Sequence, residues 1–133
     1  MTNTYEIWTE PISASAEGRP VVIASVTDTA ATALHTITEA DAIDSVWLYA
    51  TNNGSARVEL KVVINPADDT NAANVGASEL TYSLQASSTL LVMDGLRVRE
   101  GTAAYTIGAY SDSTDDISIT GYFVRKIYTE HTA

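Results

Sequence analysis

Few side chains in this chain have the types and spacing that catalysis requires, and its two histidines come first. A hydrolytic triad needs a serine or cysteine nucleophile, a histidine base and an acid that orients the base. His35 lies between Leu34 and Thr36 in a weak strand pattern, and His131 lies in a short polar tail. The chain has no cysteine, and no second histidine or positioned acid completes a set around His35. We therefore predict that His35 is not a catalytic base and that the protein is not an enzyme.

Carboxylates are the other abundant reactive group, since 17 of the 133 residues are acidic. A glycosidase needs two of them held across a cleft at a set separation, and among so many acids a chance pair carries no weight. The run at residues 111–116 offers Asp112, Asp115 and Asp116 as oxygen ligands for a weak Ca²⁺ site. It lacks the spacing and central glycine of an EF-hand loop, so a solvated loop between strands is the simpler interpretation. The sequence thus predicts no cofactor.

The overall charge argues against several classes of partner. Seven basic residues against 17 acidic ones give a net charge of −10, whereas a nucleic-acid-binding surface concentrates lysine and arginine. The acidic excess also argues against anionic membrane surfaces, and no apolar run approaches the roughly 20 residues of a membrane-spanning helix. The N-terminal stretch has neither the basic nor the apolar region of a signal peptide. We therefore expect a protein made in the cytoplasm and not exported by a signal.

The clearest local pattern lies in residues 46–64, where apolar and polar residues alternate with period two. Asn53 and Gly54, in the middle of this stretch, favour the positive φ angles of a primed turn. The pattern therefore predicts a β-hairpin with one aliphatic side in the core. That side comprises Val46, Leu48, Ala50, Val58, Leu60, Val62 and Ile64.

The opposite side of the predicted hairpin carries two large aromatic residues, Trp47 and Tyr49. If the hairpin forms, these residues lie near Arg57, Glu59 and Lys61 on the second strand. Aromatic side chains beside charges are typical of a partner-binding surface. They are equally consistent with a surface that another element of the chain covers.

The rest of the chain adds strand patterns with turn signals between them. Segments at residues 21–27, 33–37, 79–84, 89–93, 103–110 and 117–128 are rich in β-branched, aromatic or alternating residues. Asp94-Gly95 predicts a turn, and residues 38–44 predict one helical turn. Short strands at regular spacing predict a single antiparallel all-β sandwich, jelly-roll-like, with about eight strands. The predicted core is Val46, Leu48, Val58, Leu60, Val62, Leu80, Leu84, Ile117 and Ile119.

Residues 1–20 differ from the remainder and predict an extended N-terminal arm before a sandwich domain at residues 21–133. Pro11 and Pro20, with Gly18 between them, resist both helix formation and central-sheet pairing. The arm nevertheless carries apolar side chains whose burial is worth roughly 1.5–3 kcal/mol each. We therefore expect it to dock, on a neighbouring copy in preference to its own sandwich. These side chains are Tyr5, Ile7, Trp8 and Ile12.

Four stretches of the sequence together resemble one group of proteins. They are LHTI at residues 34–37 with an acidic link at 39–44, VWLYATN at 46–52 with RVELKVV at 57–63, LLVMDGL at 90–96, and ISITGYFVR at 117–125. In combination they resemble small β-sandwich virion proteins of tailed bacteriophages, of the capsid-decoration or head–tail accessory kind. The resemblance covers residues 34–127 and leaves residues 1–33 outside.

The resemblance implies a non-enzymatic structural subunit located in the virion, most simply a multi-copy capsid decoration (cement) protein that binds and stabilises the phage head. The implied partners are the major capsid protein or neighbouring virion proteins, together with copies of itself, a trimer being one option. The resemblance carries over no binding residue. From the residues themselves, the predicted partner-binding side chains are Tyr5, Ile7, Trp8, Ile12, Trp47 and Tyr49.

An alternative function remains open at this point, a carbohydrate- or receptor-binding module of a phage tail tip or fibre. In such a module Trp47 and Tyr49 would lie on an open sheet face and stack on sugar rings. Buried aromatic side chains are the more common case. The exposure of these two rings therefore bears directly on the choice.

Overall fold

The computed structural model describes residues 2–24, 26–27, 31–37, 39, 41–66, 79–99 and 105–131, with side chains described at residues 6–24, 26–27, 31–37, 39, 41–64, 79–99 and 106–127. Its regular structure consists of β-strands and a short 3₁₀ turn, Ala16–Gly18. The strands are β1 (Thr2–Pro11), β2 (Val21–Val22), β3 (Thr32–Ile37), β4 (Ala42–Asn52), β5 (Val58–Pro66), β6 (Glu79–Leu84), β7 (Thr89–Arg99), β8 (Tyr105–Ser111) and β9 (Ile117–His131). Among these residues no helix is long and apolar enough to span a bilayer.

The strands form two antiparallel sheets that pack face to face. Sheet A has the order β1-β9-β4-β7, with the two-residue β2 also paired to β9, and sheet B has the order β3-β8-β5-β6. With β2 set aside, every pair of consecutive strands except β5 and β6 lies in different sheets, which is the strand order of a jelly roll. The predicted jelly-roll-like sandwich of about eight strands is therefore confirmed.

Aliphatic side chains fill the space between the sheets, because each strand alternates inward and outward residues. Eight of the nine predicted core residues are buried, and the exception is Leu80, which is 40% exposed. Leu80 lies on β6, the outer strand of sheet B, and therefore has a neighbouring strand on one side only. The structure adds Ile23, Leu34, Ile37 and Ile107 to the core.

The predicted hairpin at residues 46–64 is wrong, because its two strands belong to different sheets. β4 pairs with β7 and β9, whereas β5 pairs with β6 and β8. The buried side chain of Asn52 shapes the crossing: its Nδ2 donates to the carbonyl oxygens of Ala56 at 2.8 Å and Leu84 at 3.1 Å. Its Oδ1 accepts from the Gly54 N–H at 2.9 Å, and neither Asn53 nor Gly54 adopts positive φ. Period-two alternation places the aliphatic side chains in the core in either arrangement, so it cannot distinguish a hairpin from a crossing.

Two further local predictions are wrong at the boundaries of strands. Asp94-Gly95 does not end a strand, because β7 runs through it with a bulge that offsets its register against β4. Gly95 supplies the positive φ of +75° that this bulge uses. In the described part of the helical turn predicted at residues 38–44, Asp41 has a φ of 64° and β4 starts at Ala42, so these residues are not helical. Residues 38 and 40 lie outside the described residues.

The segment predicted as an extended N-terminal arm is a full strand of sheet A. β1 pairs antiparallel with β9 over its whole length, from Thr2 opposite His131 to Pro11 opposite Tyr122. Pro11 ends the strand at the outer edge of the sheet, where its missing N–H disturbs no ladder. Ile12, directly after it, is fully buried in the core. The segment therefore docks on its own sandwich and not, as predicted, on a neighbouring copy.

Candidate functional site

The outer side of sheet A carries the densest group of exposed apolar side chains. Residues directly opposite each other on neighbouring strands share one face of a sheet, so the register arranges the outward residues in five rows, which we call face A. The first row holds Ile7, Lys126, Ile43 and Arg99; the second Thr9, Val124, Ser45 and Arg97; the third Pro11, Tyr122, Trp47 and Asp94; the fourth Thr120, Tyr49 and Leu91; and the fifth Val22, Ser118, Thr51 and Thr89.

The centre of face A is a fixed aromatic cluster. The rings of Trp47 and Tyr122 stack with centroids 5.0 Å apart and an interplanar angle of 9°. The indole Nε1 donates a hydrogen bond to Oδ1 of Asp94 at 3.0 Å. The indole also packs against Gly95, where an added Cβ would lie 3.0 Å from its Cζ2 atom. The bulge, the glycine and the aspartate together hold Trp47 in one orientation.

The apolar side chains of face A are exposed to an unusual extent. Ile7 is 65% exposed, and Tyr49, Tyr122 and Leu91 are each close to 40% exposed. Six of the nine large apolar side chains that are exposed in the described part of the chain lie on this face. A contiguous exposed apolar patch marks an interaction surface in a soluble protein.

Face A also has a local charge opposite in sign to that of the whole chain. Its first two rows contain Arg97, Arg99 and Lys126 and no acid, although the net charge of the protein is −10. Within the described residues neither arginine takes part in an ion pair. Arg97 and Lys126 border a shallow groove whose apolar lining includes Ile7, Ile43 and Val124. Apolar contacts and positive charge are thus combined at one end of the face.

Five of the six residues predicted to bind a partner divide into three groups. Ile7, Trp47 and Tyr49 lie on face A. Trp8 lies opposite Arg125 on the inward side of β1 and is half-buried. Ile12 is a core residue and has no exposed surface in the single chain.

For Tyr5, the remaining predicted partner-binding residue, the structure gives only a position in β1, opposite Tyr128, because its side chain lies outside the described part. The prediction missed several residues of face A on β4, β7 and β9. Alternation within residues 117–128 would have indicated those on β9. The missed residues are Ile43, Leu91, Arg97, Arg99, Tyr122, Val124 and Lys126.

A buried polar cluster, separate from face A, lies inside the sandwich and includes His35. The side chains of His35 and Asp44 are 1% and 0% exposed, and Nε2 of the imidazole lies 2.7 Å from Oδ2 of Asp44. Arg125 donates to the same carboxylate twice, from Nε to Oδ1 at 2.7 Å and from Nη2 to Oδ2 at 2.8 Å. Its Nη1 lies 3.3 Å from the carboxylate of Glu39 at the surface. The cluster joins β3, β4 and β9.

The electrostatics of this cluster keep Asp44 ionised. Burial raises the pKa of Asp44. The hydrogen bonds and charge of Arg125, together with the hydrogen bond to His35, lower this pKa by more, so the net pKa lies below 3.8. The hydrogen bond to Asp44 raises the pKa of Arg125. A bidentate arginine–carboxylate pair is the geometry that best offsets the loss of hydration on burial.

The prediction that no acid accompanies His35 is wrong, because Asp44 is in direct contact with the ring. The arrangement nevertheless differs from a catalytic triad. Nδ1 of His35 accepts the backbone N–H of Ser13 at 3.1 Å, so the ring proton sits on Nε2 and points at Asp44. The Ser13 hydroxyl oxygen accepts the N–H of Thr36 at 2.8 Å. Both ring nitrogens are therefore used to hold the segment after β1 against β3 and β4.

The acidic loop at residues 112–116 uses its carboxylates in the turn itself. Oδ1 of Asp112 accepts the N–H of Glu59 at 3.0 Å, and Oδ2 of Asp116 accepts the hydroxyl of Ser113. Asp115 adopts positive φ, and its N–H donates to a backbone carbonyl at 3.1 Å. No group of three acidic or histidine side chains in the described residues converges to hold a metal ion.

Comparison with known proteins adds no family to this description. The chain matches no protein-family model, no curated protein and no solved structure.

Proposed function

We propose that the protein is a non-enzymatic structural subunit of a tailed-bacteriophage virion, a multi-copy decoration protein of the head. The observation that supports this best is face A, an apolar and aromatic surface that nothing in the described part of the chain covers. Its side chains are suited to burial against another protein. Face A is therefore suited to form a contact between protein subunits.

The sequence resemblance supplies the virion context for this contact. It spans residues 34–127, which include most of both sheets. Jelly rolls occur in viral capsid proteins and in lectins alike, so the fold by itself does not choose between these classes. The choice rests on the detailed geometry of the aromatic residues.

That geometry favours a protein partner over a sugar ring. A sugar platform needs an aromatic ring with an open face. One side of the Trp47 ring is stacked on Tyr122, its benzo edge packs against Gly95, and its N–H is already bonded to Asp94. The stacked pair of Trp47 and Tyr122 is therefore an apolar cluster held in one orientation, like the aromatic residues at the centre of many protein interfaces.

The test is to measure the copy number of the protein in purified virions. Particles produced from the genome that encodes the chain are purified and analysed by quantitative mass spectrometry against the major capsid protein. We expect the protein at a fixed ratio set by the symmetry of the shell. Its absence from the particles contradicts the proposal.

A matched pair of variants connects this measurement to face A. Tyr49→Asp places a charge in the fourth row of face A, and Thr81→Asp places the same charge on the exposed outer side of sheet B. The first change should lower the copy number on the particle, and the second should leave it unchanged. Equal occupancy of both variants would show that the virion contact does not depend on face A.

A further inference from the structure

We propose that face A binds a second copy of this chain, face to face, about a two-fold axis that runs across the strands. The inference rests on the proposed function only in assuming that face A is a contact surface between subunits. It specifies the occupant of that surface and its orientation. The interface is isologous, because the same patch of each copy takes part.

The order of the rows brings the apolar centres of the two copies together. An axis across the strands reverses the order of the rows, so the third row meets itself and the first row meets the fifth. The stacked pair of Trp47 and Tyr122 then packs on its counterpart near the axis. Ile7, in the first row, faces Val22 in the fifth row of the second copy, and both are at least half exposed in one chain.

The charges of the face select this orientation over its alternative. Lys126 comes over Ser118 of the second copy, next to Asp116 and Asp115, which directly precede β9. Arg97 comes within one row of Asp94 of the second copy, so the two Asp94 carboxylates, which meet in the third row, lie between the two Arg97 side chains. Each cationic end therefore lies against an acidic region of the other copy, a complementary arrangement.

A two-fold axis parallel to the strands gives the opposite result. It keeps every row over itself, so that the first two rows of both copies come together. The cations Arg97, Arg99 and Lys126 of each copy would then crowd at one end of the interface, which holds no acid in those rows. Juxtaposed like charges are unfavourable, so the axis across the strands is the one that the charge pattern supports.

The Cα positions of the face enclose roughly 400 Å², about half of what a standard interface buries on each partner, so the face suits a weak, concentration-dependent dimer. The outermost Cα positions of face A span roughly 15 Å across the strands and roughly 27 Å along them, from standard strand spacings. A standard interface buries roughly 800 Å² on each partner, and the apolar rows supply its centre. The hydroxyl-bearing side chains Thr51, Thr89, Ser118 and Thr120 supply a polar margin.

Site-directed crosslinking tests both the dimer and its orientation. The chain has no cysteine, so single introduced cysteines are unambiguous. Ile7→Cys protein is mixed with Val22→Cys protein and treated with a short bis-maleimide, since stacked sheets lie about 10 Å apart. We expect covalent heterodimers from this mixture and none from Ile7→Cys mixed with Arg99→Cys. Within one chain the two positions are four rows apart, so only an intermolecular link can form.

Sedimentation of the unmodified protein completes the test. We expect a dimer that weakens with added salt, and Arg97→Glu should weaken it about tenfold or more, whereas Arg57→Glu, at an exposed position outside face A, should not. A monomer at every concentration, or crosslinking of position 7 to position 99, overturns the inference. Absence of the protein from virions would leave these results unaffected, so failure of the proposed function is distinguishable from failure of the dimer.

Discussion

The two outer faces of this sandwich differ in how they meet their surroundings. Sheet B also has an outward set of residues, which we call face B: Thr36, Glu59, Lys61, Val63, Glu79, Thr81, Ser83, Thr106, Gly108 and Tyr110. Most of these side chains are polar, and its charged groups contact one another. Lys61 lies 3.6 Å from Glu59 and 4.0 Å from Glu79, and the hydroxyl of Tyr110 donates to Glu79. Face B therefore pairs its described charges with one another and leaves Val63 only 4% exposed, whereas face A exposes aromatic rings and presents arginines outside any described ion pair.

The contrast between the two faces indicates which side of the sandwich forms contacts with other molecules. Each face lies on alternating strands of its own sheet, and both sheets cover the same core. At the centre of face A the β7 bulge and Gly95 make room for the Trp47 ring. Structural irregularities of this kind re-aim side chains at functional surfaces. Face A is therefore the specialised side of the sandwich, and substitutions on face A should have consequences that substitutions on face B lack.

The largest effect is expected beneath face A and not on it. Asp44→Asn removes the anion that pairs with Arg125 and His35 in the interior. Breaking a buried ion pair by removing one partner costs about 3–5 kcal/mol, to be measured by urea unfolding. The control Glu39→Gln, at a half-exposed carboxylate 3.3 Å from Arg125, should cost less than about 1 kcal/mol. Equal losses would place the stabilising contact at the surface.

Lowering the pH should remove the contribution of Asp44 to the stability of the unmodified protein. Because the folded pKa of Asp44 is depressed below 3.8, its contribution is fully present above that value and is lost as the pH falls through the folded pKa. The unfolding free energies of the wild type and Asp44→Asn should therefore converge from about pH 4 downward. Arg125, His35 and Glu39 surround the group, and Glu10 also acts on Arg125. A constant difference across this range would mean that Asp44 is not the titrating group.

An intermediate effect is expected from the bulge that shapes face A. Gly95→Ala places a Cβ at a φ of +75° and 3.0 Å from the Trp47 ring. The backbone conformation alone should cost about 1–2 kcal/mol, and the near-ultraviolet circular dichroism of Trp47 should change. Ser83→Ala on face B is the control and should alter neither quantity. An unchanged tryptophan signal in Gly95→Ala would show that the bulge does not fix the ring.

A charge introduced on face A should have the smallest effect on stability and the largest effect on association. Tyr49→Asp and Thr81→Asp both replace exposed side chains, on face A and face B respectively. Each should change the free energy of unfolding by less than about 0.5 kcal/mol. Sedimentation should nevertheless show that only Tyr49→Asp becomes monomeric. A monomeric Thr81→Asp would instead place the contact on face B.

Sequence patterns predicted the fold class and most of the core, because alternation along a strand is a local property. They did not predict that β4 and β5 lie in different sheets, since a hairpin and a crossing bury the same aliphatic residues. The bonds of Asn52 that shape the crossing reach Leu84, which is 32 residues away. The pairing of Asp44 with Arg125 spans 81 residues and likewise has no local signal.

Face A was predicted only in part for the same reason. Trp47 and Tyr49 are recognisable on one strand, but the rows also draw residues from β1, β7 and β9. The cationic end of the face arises only when Arg97 and Lys126 are brought together by pairing with β4. Exposure of Ile7 on β1 likewise depends on the docking of the N-terminal segment in sheet A. Surfaces assembled from four strands are a property of the topology.

Hydroxyl-radical footprinting of dilute and concentrated protein tests most directly whether face A is the contact surface. Leu91 on face A and Leu80 on β6 of sheet B are both 40% exposed in a single chain, so they form a matched pair of probes. We predict that Leu91, with Tyr49 and Tyr122, becomes protected as the concentration rises, while Leu80 keeps its reactivity. Constant reactivity of Leu91 at all concentrations, or protection at Leu80 instead, would contradict the assignment of face A as the contact surface.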